Sequence, residues 1–276
     1  MGLLRRERVE LKTADQVVLM RAAGLVVADA LDAVRAALAP GTTTAELDRV
    51  AHDVIRAAGA VPSFLGYQGF PASLCVSVNE EVVHGIPGDR VLVDGDVVSV
   101  DCGAVLDGWH GDAAFSAVLD TGAGAADPED VALVAATEAA MWAGLAALAG
   151  AQRLGEVGAA VEDSLDGRYG VVEGYVGHGI GTAMHQPPEV LNHRTRDRGA
   201  RVRPGMCLAV EPMVTRGTAD TDVLADEWTV VTTDGSRAAH WESTVAVHDG
   251  GLWVLTARDG GVAGLARHGV VPQPLG

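Results

Sequence analysis

Two spacings of apolar residues alternate along this chain. Val17, Met20, Ala23, Gly24 and Val27 recur at steps of three and four, which predicts a helix over residues 13–39 with Thr13 as its cap. Pro40-Gly41 ends it, and Thr44-Ala-Glu-Leu opens a second helix running to Gly59. The apolar runs then shorten. Leu74-Cys-Val-Ser-Val and Asp96-Val-Val-Ser-Val-Asp-Cys read as strands within residues 73–105, with a turn at 85–89 between them. Asp107-Gly108 is a hairpin signal, and residues 110–119 read as the returning strand. Asp127-Pro128-Glu129-Asp130 sets a capping acid, a proline at the first helical position and two acids at the positive end of the dipole, predicting a helix to about Ala149. A shorter helix over 154–165 follows. Strands are expected from Val171 onward, then over 206–214, 228–232 and 238–248. Beyond Arg258, glycine and proline predict a flexible tail over 258–276.

Two helices then strands, and again two helices then strands, indicate an α+β fold with antiparallel sheet. A local echo points to duplication: Pro40-Gly41 before Ala45-Glu46-Leu47 matches Ala149-Gly150 before Gly155-Glu156-Val157. The chain is therefore read as one domain over 1–276, made of two halves at about 12–120 and 127–257.

Composition narrows the function. A chain of 276 residues, 48% of them hydrophobic, can bury its own core. Its formal charge of -17 repels nucleic acid, so DNA is not an expected partner. Cys75, Cys102 and Cys207 are far apart and form no CxxC pair, which fits a reducing compartment and a cytoplasmic protein. The N-terminus lacks the apolar core of a signal peptide, and Arg6 stands where myristoylation wants Ser or Thr. Residues 131–151 are apolar but alanine-rich and interrupted by Thr137 and Glu138, so they read as a buried helix and no membrane association is expected. No glycine-rich phosphate loop followed by Lys is present.

Ionisable residues inside apolar strands carry the chemistry. If Asp107-Gly108 makes a two-residue loop, Asp101 lies opposite Ala114 and Asp112 is its diagonal neighbour on one sheet face. Such positions are roughly 7–8 Å apart along the backbone. Two carboxylates converging among apolar residues raise a pKa or recruit a cation; the plain alternative is a solvated hairpin bearing two surface acids. Glu211 ends the apolar run Leu208-Ala-Val before Pro212 and could equally be a structurally paired acid. Glu242 alternates with Trp241 and Ser243, where a surface position is the ordinary reading. His178 sits between two glycines that let a ligand approach closely. Together, four carboxylates and one imidazole suit two adjacent divalent ions, an arrangement that activates water and polarises a carbonyl in aminopeptidases, among other hydrolases.

The motifs Ser77-Val-Asn-Glu-Glu-Val-Val-His-Gly-Ile-Pro87, Asp107-Gly-Trp-His-Gly-Asp112, Gly177-His-Gly-Ile-Gly181 and Glu211-Pro-Met213, in this order, resemble the bacterial type I methionine aminopeptidases. The likeness runs from residue 12 to residue 257. It implies a pita-bread fold: a pseudo-two-fold antiparallel sheet with helices on its outer face. It implies removal of the N-terminal methionine of nascent polypeptides whose second residue is small, by two divalent ions drawn from Co, Mn, Fe or Zn. By the same resemblance Asp101 chelates one metal, Asp112 and Glu242 bridge, and His178 and Glu211 bind the other. Glu211 is the proton shuttle, His84 contacts substrate near the scissile amide, and His185 donates to the developing oxyanion. A methionine pocket of Tyr67, Phe70, Cys75, Met184 and Trp228 is implied, with His84 at its edge. The sequence departs from the family pattern at Ser243, where His is usual, and at Met184, where an aromatic is usual. A monomer is expected. Arg194, Arg196, Arg198, Arg201 and Arg203 form the one basic segment, read as a solvated loop or as a contact for the ribosome.

Overall fold

A computed structural model describes residues 9–275. Helix α1 (Ala14–Ala37) and helix α2 (Thr44–Ala57) both start in capping boxes, Thr13 with Gln16 and Thr43 with Glu46. The second helix opens at Thr44, as the sequence suggests, with Thr43 as its cap. The first half continues with β1 (Val61–Pro62), β2 (Leu74–Val78), β3 (Glu81–Val83), β4 (Val97–Leu106) and β5 (Trp109–Val118). The second half opens with α3 (Pro128–Ala147), capped by Asp127, and α4 (Gly155–Ser164). Then come β6 (Gly170–Val171), β7 (Gly177–Gly179), β8 (Gln186–Val190), β9 (Cys207–Val210) and β10 (Met213–Thr215). The chain closes with β11 (Thr221–Val223), β12 (Val230–Thr232), β13 (Ala238–His240), β14 (Glu242–His248), β15 (Gly251–Val254) and the short α5 (Val262–Ala266).

The main sheet runs β1-β4-β5-β14-β9-β7-β8, with β2 added beside β4 and β15 beside β14. Two three-stranded ribbons, β13-β10-β6 and β11-β12-β3, complete the scaffold. Every pairing is antiparallel, as the block order of helices and strands predicts. This is the pita-bread arrangement: β5 of the first half pairs with β14 of the second, and each half contributes a helix pair. Helices α1 and α2 pack on β2, β4 and β5 around Val27, Leu47, Ile55, Leu74 and Val100. Helix α3 is long and apolar enough to cross a membrane, yet its buried side sets Met141 and Leu145 in a core with Val157, Leu208 and Val245.

Helix α1 rests directly on the floor of the sheet. A Cβ at Gly111 would lie 2.7 Å from the backbone nitrogen of Gly24, and one at Gly24 would lie 2.4 Å from the carbonyl oxygen of Leu255. Two glycines thus let helix backbone meet strand backbone beneath Asp112. The segment after Arg258, expected to be a flexible tail, is packed in this structure. Leu265 is fully buried in the second-half core, Leu275 packs against Trp253 and its neighbours, and Gln273 N donates to Leu252 O. Its glycines make turns between apolar anchors instead of loosening the chain.

Candidate metal centre

The centre is assembled by strand register. Asp107 and Gly108 both take positive φ and form the two-residue turn, so Leu106 faces Trp109 and Asp101 faces Ala114. Ala114 in turn faces Glu242 on β14. Asp101 and Glu242 therefore flank one residue from opposite sides, and Asp112 lies two positions along β5 on the same face. Ser243 faces Val210, which sets Glu211 beside Glu242 where Pro212 interrupts the edge between β9 and β10. His178 enters from β7, between glycines whose Cβ atoms would strike Ala209 O and Pro187 O. The sequence treats 206–214 and 238–248 as single strands. Pro212 and Trp241 break both, and each break turns a glutamate toward the centre.

Ligand atoms of Asp112, His178 and Glu242 lie within 4.8 Å of one another. His178 Nε2 is 3.4 Å from Glu211 Oε1 and 3.8 Å from Asp112 Oδ2. The His178 Nδ1–H donates to the Gly179 carbonyl at 3.0 Å, which leaves the Nε2 lone pair facing the acids. Burial drives the His178 pKa down to about 3, so the ring is neutral and offers no positive charge. Burial raises Asp101 to about 7, and burial first, then the neighbouring acids, raises Asp112, Glu211 and Glu242 well above the carboxylate range. Asp101 Oδ1, Asp112 Oδ1 and Glu242 Oε1 are buried without a hydrogen-bond partner. Among the described residues no lysine or arginine pairs with any of these four acids. Four clustered carboxylates, three of them with orphaned oxygens, and one neutral imidazole make a donor set for divalent cations.

The donors form the floor of a cavity of about 230 Å³. Its walls contain Tyr67, Phe70, Cys75, His84, His185 and Trp228 from the expected set. Phe70 meets Trp228 edge to face with ring centres 5.1 Å apart, and Phe64 closes on Phe70 from the other side. His84, at φ 60, stands between Tyr175 and Trp228. Such a backbone angle is sparsely populated for a non-glycine residue and is typical of functional sites. Burial lowers the His84 pKa to about 4. His185 sits at the exposed rim, its ring 4.3 Å from that of His178, with the Tyr67 hydroxyl 2.8 Å from Nδ1. Surrounding protein lowers its pKa as well.

One expected wall residue lies elsewhere. Met184 is fully buried behind the wall, packed with Phe64, Phe70 and Cys75 and close against Gly103, so it supports the slot without facing it. Its neighbour His185, in the same bend ahead of β8, is exposed. Phe64, Gln68, Tyr175, Val176 and Met213 line the cavity and were not anticipated. Most stand in loops, such as the turn where Gln68 takes φ 49, and apolar spacing is silent there. Met213 stands out only after Pro212 is seen to break the strand.

Residues 18–249 match the family model described as metallopeptidase family M24. Methionine aminopeptidase 1 of Mycobacterium tuberculosis is 52% identical over 259 residues, which covers 91% of this chain and 96% of that protein. Among solved structures, the methionine aminopeptidase of Thermotoga maritima superposes with a TM-score of 0.87 at 37% identity, over 91% of this chain and 100% of that one. The Rickettsia prowazekii methionine aminopeptidase gives a TM-score of 0.86 at 35% identity, with the same coverage.

Proposed function

From the premise that the chain belongs to metallopeptidase family M24, in the company of methionine aminopeptidases, we infer how its buried acids act in that reaction. The chain is a metallo-exopeptidase that removes N-terminal methionine, and divalent metal is its cofactor. The observation carrying the site reading is the set of orphaned oxygens on Asp101, Asp112 and Glu242 beside an aromatic slot.

On this reading Asp101, Asp112, His178, Glu211 and Glu242 would hold two ions, Asp112 and Glu242 serving both. Co, Mn, Fe and Zn all accept oxygen and imidazole donors. A bound pair would supply Lewis acidity and a water of lowered pKa. The protein's own groups do the rest. Glu211, set among the donors beside His178, takes a proton from the attacking water and carries it to the leaving amine. The Tyr67 hydroxyl lies 2.8 Å from His185 Nδ1 and, by donating there, would keep the imidazole proton on Nε2. From the rim, that N–H donates to the carbonyl oxygen as negative charge develops there. His84, neutral at physiological pH, contacts the scissile amide. The methionine side chain enters between Tyr67, Phe70, Cys75 and Trp228, whose aromatic faces and soft sulfur suit a thioether.

The test is metal-free protein reconstituted with each ion at matched stoichiometry and assayed on Met-Ala and Met-Leu peptides. About two equivalents should restore turnover, and Met-Ala should far outpace Met-Leu because the ion-lined floor leaves little room past the scissile bond. Full activity at one equivalent would reject the dinuclear arrangement, and equal turnover of both peptides would reject the pocket assignment.

The same reading places the enzyme in the cytoplasm as a monomer acting on nascent chains. Cys75, Cys102 and Cys207 are all buried and unpaired, as a reducing compartment allows. The repeated order of a helix pair followed by strands supports a single catalytic domain of two duplicated halves. A ribosome contact is read at residues 194–203. Arg198, Arg201 and Arg203 edge two open grooves there, whereas Arg194 is held by Asp163 at 2.6 Å. Reversing the charges of Arg196, Arg198 and Arg201 should weaken ribosome co-sedimentation, and unchanged binding across a salt series would discard the contact.

A further inference from the structure

Of the chain's 20 basic residues, Lys12 is the one lysine. It is also among the most deeply buried charged groups, with its side chain 1% exposed. It precedes α1 and lies far from the metal centre in sequence, and neither the reaction nor the family match assigns it a task. Lys12 Nζ donates to Gln186 Oε1 at 3.0 Å and lies 3.8 Å from Glu10 Oε2. Gln186 Nε2 donates to the same Glu10 oxygen at 2.5 Å, and Thr182 Oγ1 donates to it at 3.3 Å. Thr182 and Gln186 bracket the turn that ends in His185. Lys12 N also donates to Gly205 O at 2.7 Å, which ties the segment to the turn ahead of β9.

We propose that Lys12, with Glu10, is a positioning residue that latches both ends of the 182–186 turn and so fixes the His185 ring over the reacting carbonyl. The inference rests on the oxyanion role assigned to His185 above. The ring itself meets the Tyr67 hydroxyl and the edge of the His178 ring, at a rim that is open to solvent. A loop fixed at one side chain tilts; one held at Thr182 and Gln186 as well does not. A Cβ at Gly181 would sit 2.4 Å from Lys12 Cε and 2.7 Å from Nζ, so the absence of a side chain at Gly181 leaves the room that the Lys12 ammonium fills.

The experiment is a double-mutant cycle between Lys12→Met and His185→Ala, read as kcat and KM on a Met-Ala peptide with bound metal and melting temperature measured on each protein. A misplaced catalytic donor costs up to about 100-fold. Lys12→Met should therefore lower kcat by roughly 10- to 100-fold, with KM and metal content nearly unchanged. In the His185→Ala background the same substitution should change kcat by less than about twofold. Gln186→Leu, which cuts the latch without removing the buried charge, should repeat the pattern should Lys12→Met fold poorly. Equal losses in both backgrounds, or a loss that tracks metal content, would overturn the latch. If His185→Ala itself leaves kcat intact, the oxyanion role fails instead, and the two failures stay separate.

Discussion

Two groups of acids in this molecule have opposite upkeep. At the start of α3, Asp127, Glu129 and Asp130 surround Arg216, whose Nη1 lies 2.8 Å from Asp127 and 2.6 Å from Asp130 and whose Nη2 donates to Glu129. Arg237 adds a second cation 3.5 Å from Asp130, which is only 2% exposed. Here the protein supplies its own counter-charge. In the metal centre Asp112 and Glu242 are as deeply set as Asp130, with Asp101 and Glu211 beside them, and the one basic side chain among them is a neutral imidazole. Buried charge is tolerated only when compensated. The first group is therefore complete as folded. The second is complete only with a cation from solution, and that incompleteness is what makes it chemically useful.

The largest effect should come from removing a shared donor. Asp112→Asn should lower kcat/KM by on the order of 10³-fold, since several kcal/mol of charge stabilisation go with the ions. In metal-free protein the same substitution should raise the melting temperature by roughly 2–4 °C, because it removes an acid whose burial costs about 1 kcal/mol. A metal-free variant that melts lower than its parent would erase the contrast between the two groups. Next is the opposite experiment. Arg216→Ala leaves Asp130 buried with a single distant partner and should cost about 1–3 kcal/mol in denaturant unfolding. Activity per folded molecule should not change; a fall in kcat would mean that the α3 cluster reaches into catalysis.

The smallest effect is a pH dependence that sharpens the distinction. The raised carboxyls of the metal centre keep protons in the folded state that the unfolded chain releases near pH 4. Stability of the metal-free protein attributable to them is therefore full below that pH and declines as pH rises through about 7, where Asp101 ionises, and beyond. Bound metal replaces those protons. The melting-temperature gap between loaded and metal-free protein should widen by on the order of 5 °C from pH 5 to pH 8. A gap that stays constant across this range would show that the acids ionise without penalty.

Where local rules act alone, the sequence is a sufficient guide. Asp107-Gly108 sets the turn, the turn sets the register, and the register places Asp101 opposite Ala114 with Asp112 on the same face. Asp127-Pro128 marks the start of α3 to the residue. The donor set as a whole was legible only jointly, through motifs scattered over more than half the chain. What escaped is tertiary. Nothing local says that Met184 turns away from the slot, or that Phe64 and Tyr175 arrive from loops to face it. Nor does the richness in Gly and Pro after Arg258 reveal that Leu265 finds a core to fill. Burial depends on what packs opposite, which spacing along one segment does not encode.

The contact between Gly24 and Gly111 sets a machining tolerance for the enzyme. A methyl group at Gly111 would have to push α1 outward or bow β5 inward, and β5 carries Asp112 on the very next residue, while one at Gly24 would drive α1 off the Leu255 carbonyl. The fit of the ions is thus gauged from the far side of the sheet, by two residues that never see substrate. A broader donor cage, for a larger cation, would have to be reached by widening that seam before any ligand was exchanged.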